Sequence, residues 1–154
     1  MRRSWAALSD AGLPSQLDHR GATNAVHLTV VAAPVLTDEA VEAASRRLGA
    51  LLPITVRVSG LLLLGGARVT VARAVDVDDE TLRAVLDVRS LVPGRQHPGW
   101  LPHVTLARRL PRDRVQEAVD VLGWDDVEID LVELRRWDPD AGAVTRLAPS
   151  VGRD

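Results

Sequence analysis

The chain has 154 residues, 46% of them apolar and 26% charged, with a net charge of −2 and no cysteine. One domain with a full hydrophobic core fits that size, whereas disulfide scaffolds, thiol nucleophiles and cysteine-ligated metal sites are excluded. A slightly negative balance also argues against a general polyanion binder, which needs a broad basic face.

The 19 basic residues are all arginine, and Phe and Tyr are absent. A GC-rich gene explains that usage, and a local arginine cluster is still enough to hold one phosphate. Apolar runs are about as long as residues 61–64, far below the roughly 18 residues of a membrane helix. The basic residues 1–3 lead into no apolar core of a signal peptide, so the expected setting is the cytoplasm.

In chain order, residues 3–11 read as a short helix stopped by Gly12, with Pro14 beyond it. Residues 24–32, NAVHLTVVA, read as a strand rich in β-branched side chains. Thr37 caps a helix to about residue 51, with Asp38 and Glu39 in its first turn and Val41, Ala44 and Leu48 on one stripe. Residues 54–64 and 67–75 read as strands joined at Gly65-Gly66. A helix over 78–91 presents Leu82, Val85 and Leu86 on one face, and a Pro/Gly-rich loop follows at 92–102. Residues 103–109 form a strand, and Pro111 opens a helix in which Val115, Ala118, Val119 and Leu122 recur at helical spacing. Residues 127–134 and 143–147 end the chain as a hairpin around 138–142.

The two halves, about 1–75 and 76–154, repeat one order: helix, loop, strand, helix, strand, strand. The strands after the loops carry His27-Leu28-Thr29-Val30 and His103-Val104-Thr105-Leu106, 76 residues apart, and the same offset carries Gly66 to Gly142. Such an internal duplication predicts a single α+β domain of two pseudo-symmetric lobes. Each lobe would be a mainly antiparallel sheet with helices on its outer face, with the active cleft between the lobes.

Strand alternation sets His27 and Thr29 on one face, and His103 and Thr105 likewise. One His-x-Thr is most simply the wet face of a half-buried strand. Two at matched places in a repeat read as one shared site. An imidazole ordinarily titrates near pH 6.5, so one can be a base while the other is an acid. Threonine hydroxyls donate to a non-bridging oxygen. This set suits displacement at phosphorus, for which a 2′,3′-cyclic phosphodiester is a natural substrate. Two histidines fall short of the three protein ligands of a catalytic zinc site, and neither motif has a carboxylate or third histidine at suggestive spacing. No metal or other cofactor is read.

His27-Leu28-Thr29-Val30 and His103-Val104-Thr105-Leu106-Ala107-Arg108 resemble the paired signatures of the 2H phosphoesterase superfamily. The nearest branch is the bacterial 2′-5′ RNA ligase-like proteins, also called RNA 2′,3′-cyclic phosphodiesterases, and the resemblance covers most of the chain in element order. It implies a metal-independent hydrolase acting on an RNA end or small nucleotide with a cyclic phosphate. His27 and His103 would be catalytic, and Thr29, Thr105 and Arg108 would bind phosphate. Strand parity sets Arg108 opposite His103 and Thr105, so a bend or bulge must turn it inward, and otherwise Arg109 is the better contact. The family usually opens with a strand, and this sequence begins almost at the first helix, so the expectation is either a missing edge strand or a misassigned start codon.

Further candidates for substrate contact are Trp100, His97 and Arg95 in the loop at 92–102, and His19 with Arg20 before the first motif. Trp100 either stacks on a base or plugs its loop onto the core. Trp5, Trp124 and Trp137 read as packing residues. Arg57, Arg68 and Arg73 alternate on the hairpin strands and read as solvated. The expected state is a monomer away from membranes. Two other functions fit the same motifs: 2′-5′ ligation, which is the reverse reaction at the same site, and RNA or nucleotide binding without turnover.

Overall fold

A computed structural model describes residues 1–19, 21 and 23–148. The first helix, α1 (Arg2–Asp10), buries Trp5 and Leu8 and ends where Gly12, at φ 66°, lets the chain turn. Thr37 caps α2 (Asp38–Arg47) through its hydroxyl, which accepts the Ala40 amide N–H at 3.2 Å. The acidic first turn and basic last turn of α2 complement the helix dipole. Strands β1 (Ile54–Gly65) and β2 (Arg68–Asp76) follow. Gly65, at φ 107°, makes the turn between them, and a side chain there would meet the Arg68 carbonyl oxygen at 2.8 Å. Helix α3 (Asp79–Ser90), strand β3 (His103–Pro111), helix α4 (Val115–Leu122) and strands β4 (Val127–Leu131), β5 (Leu134–Asp138) and β6 (Ala143–Ala148) complete the described chain. The α+β class holds: one four-stranded sheet of order β3-β2-β1-β4, and a two-stranded sheet of β5 and β6.

The chain forms two compact units, each built from three segments. Among the described residues, the first takes those of 1–28, 58–75 and 102–127; the second takes 29–57, 76–101 and 128–148. Their boundaries do not follow the midpoint of the sequence repeat. The reason lies in strand pairing: β3, from the second half, lies antiparallel to β2, from the first, and its buried residues join those of α1. In the first unit Trp5, Leu8 and Leu13 pack with Val69 and Val71 of β2, Leu106, Ala107 and Leu110 of β3, and Ala118 of α4. In the second unit α2 packs on α3 through Ala43, Ala44, Leu48, Val85 and Val88.

Several local expectations change. Residues 24–32 join no sheet, so the two motif segments differ in local structure. The single strand expected over 127–134 is broken into β4 and β5, and Glu133, just before β5, takes ion pairs from Arg135 at 3.0 Å and Arg146 at 2.9 Å. Helix α3 buries Thr81, Val85, Val88 and Arg89, while Leu86 is exposed. Arg73 is buried, not solvated, and donates to the carbonyls of Leu122 and Gly123 at the end of α4. Of the three tryptophans read as packing residues only Trp5 is buried; Trp124 and Trp137 are exposed. No helix among the described residues is long and apolar enough to cross a membrane.

Candidate active site

β3 carries two of the motif side chains, His103 and Thr105, and the arginine that follows them. Its pairing with β2 matches His103 to Ala74 and Thr105 to Ala72. Cross-strand partners share a face, so His103 and Thr105 stand on one side of the sheet beside two small side chains. His103 is half-buried and Thr105 is buried. The backbone there is pinned from the core: the Trp5 indole N–H donates to the Thr105 carbonyl at 3.2 Å.

Beyond Thr105 the strand departs from regular pairing twice. Val71 pairs with Ala107 and the next residue, Ala72, with Thr105, so Leu106 is an extra residue on β3; between Ala107 and Leu110, which pairs with Val69, there is another. A regular strand would send Arg108 and Arg109 to opposite faces. With the bulge, both are exposed. The irregularity that strand parity required near Arg108 is present. Arg109 sits at φ 60°, and it is the one non-glycine residue with positive φ among the described residues. Arg108 and Arg109 line a cavity of about 310 Å³ with His19, Asp18, Ser15 and Gln16.

His27 also belongs to the first unit and is exposed. Its Nδ1 lies 2.8 Å from the Ala25 carbonyl oxygen. A carbonyl only accepts, so Nδ1 is the donor in this contact. The unit boundary falls directly after Leu28, so Thr29 belongs to the second unit, where it is exposed.

In place of a strand ladder, donors from α3 and the loop at 92–102 hold residues 29–32. The Trp100 indole N–H donates to the Thr29 carbonyl at 2.9 Å, and the Arg89 guanidinium donates to the Val30 carbonyl at 2.8 Å. The Gln96 amide N–H donates to the Ala32 carbonyl at 2.8 Å.

Arg89 is buried and also donates to the carbonyls of His97 and Gly99, both at 2.6 Å. Burial, and then the nearby Arg95 charge, lower its pKa from the ordinary arginine value. Trp100 packs against the α2–α3 cluster, which is the plugging arrangement of its two expected roles. The His97 side chain is exposed, and Arg20 lies outside the described residues. Arg89 was not among the candidates read from the sequence, although an arginine four residues after Val85, on the buried side of a helix, is the signal that marks it. Among the described residues no three His, Cys, Asp or Glu side chains stand together as a metal site would need.

A family model described as the 2'-5' RNA ligase superfamily matches residues 2–143. No curated protein and no solved structure gives a match.

Proposed function

We propose, since this chain belongs to the 2′-5′ RNA ligase superfamily, that it opens 2′,3′-cyclic phosphates on RNA ends or nucleotides with His27 and His103 as an acid–base pair. What supports this reading is the family match over residues 2–143 together with the two His-x-Thr motifs at His27 and His103. One histidine takes a proton from water as its oxygen forms a bond to phosphorus. The other gives a proton to the ring oxygen whose bond to phosphorus breaks. The net change is one water added across the ring, and each histidine ends in the other's starting protonation state. Thr105 supplies a hydroxyl donor to a non-bridging oxygen, and the Arg108 guanidinium balances the charge. With an RNA 5′-hydroxyl in place of water as the nucleophile, and the ring's 3′ oxygen as the leaving group, the same site forms a 2′-5′ bond.

The test is product analysis on 2′,3′-cyclic nucleotides and cyclic-phosphate-ended oligonucleotides, with EDTA present. A ring-opened monophosphate is expected, and the rate against pH is expected to be bell-shaped. His27→Ala and His103→Ala should each lower turnover by roughly 10²–10⁴-fold, and the double variant by less than the product of the two. Near-wild-type rates in either single variant, or activity lost to EDTA and restored by zinc, would overturn the assignment.

A further inference from the structure

The β3 bulge gives Arg109 a backbone conformation that L side chains adopt only at a cost. The Arg68 guanidinium donates to the Arg109 carbonyl at 3.4 Å. The outcome is two consecutive exposed guanidiniums, Arg108 and Arg109, on the wall of one cavity with the His19 imidazole. The carboxylate on that wall, Asp18, accepts the Ser15 amide N–H at 2.9 Å. Gly21 leaves room beside the His19 ring, since a side chain there would begin 3.3 Å from its Nε2. Strained backbone kept at a charged cavity is a reason to look for a ligand.

We propose that Arg109 and His19 form a second phosphate subsite, which takes a backbone phosphate of an RNA strand while Arg108, next to it on the same wall, serves the reacting cyclic end. The substrate class rests on the function proposed above; the anion site does not. A guanidinium fork matches a phosphodiester's two free oxygens, and an imidazole adds a donor beside it. The same chemistry would take inorganic phosphate, so the test separates the two.

Two measurements are needed: binding of a short fluorescein-labelled RNA by anisotropy across salt, with and without inorganic phosphate, and kcat/KM for a cyclic-phosphate oligonucleotide relative to a cyclic mononucleotide. Arg109→Gly relieves the backbone, so it should melt no lower than wild type; Arg109→Asn is the second variant, since Asn tolerates the same conformation. Both should lower the oligonucleotide-to-mononucleotide ratio about tenfold and flatten the salt slope by about 0.7, the loss of one phosphate contact on a single strand. An unchanged ratio and slope in folded variants would overturn the subsite while leaving the phosphodiesterase reading intact. RNA binding that responds to Arg109 in a protein with no turnover on any cyclic phosphate would sustain the subsite and sink that reading. Equal competition by inorganic phosphate and by RNA at matched concentration would overturn the strand-backbone assignment.

Discussion

Both motif threonines have their backbone carbonyls held by an indole N–H, Thr105 by Trp5 and Thr29 by Trp100. Each bond lies within one unit, and each ties a short segment to the apolar cluster in which the tryptophan packs. Neither bond is legible in the sequence, because a tryptophan's packing role can be read from its neighbours but the carbonyl it reaches is set by the fold. Trp100→Phe keeps most of the apolar contact and removes the donor. It should lower stability by about 0.5–1.5 kcal/mol, the net worth of one hydrogen bond. Urea denaturation checks the value; no change would mean that water replaces the indole at Thr29.

Helices are the most legible elements, since their caps and stripes are local. Asp78 shows why: it precedes α3, and its carboxylate accepts the Thr81 amide N–H at 2.6 Å. That backbone hydrogen bond is the main reason its pKa is lowered from the ordinary 3.8. A depressed carboxylate pKa means that the folded state prefers the charged form. The stabilisation is therefore present above pH 3.8 and fades as the pH falls through the lower folded value. Asp78→Ala should cost about 1 kcal/mol at neutral pH. Asp78→Asn, which keeps an acceptor, should cost less and remove this part of the acid dependence; urea melts at neutral and acid pH compare them. Strands are less legible, because a strand exists only through its partner. Residues 24–32 have the β-branched composition of a strand and join no sheet, while β3 has two bulges that no composition announces. The His-x-Thr pattern is legible as a repeat in the sequence; the left-handed backbone of Arg109 and the burial of Arg73 and Arg89 are not, since each depends on contacts distant in sequence.

At the scale of the molecule, the chain passes between its units five times, after Leu28, Arg57, Val75, Leu101 and Val127. A duplication that still behaved as two independent halves would let residues 1–75 fold alone. The packing argues otherwise. Of the nine buried residues in the first cluster, Leu106, Ala107, Leu110 and Ala118 come from beyond residue 75. In the second, Val85 and Val88 do. Burying one leucine is worth about 1.5–3 kcal/mol, so losing Leu106 and Leu110 alone removes an amount comparable to the lower end of the roughly 5–15 kcal/mol by which whole domains are stable. A fragment of that length also sits near the size at which a core alone gives marginal stability. Residues 1–75 and residues 76–154, expressed separately, should each show no cooperative thermal transition and poorly dispersed amide resonances. A sharp melt from either fragment alone would mean that the halves remain autonomous folding units and that the interleaved cores contribute little to holding the chain together.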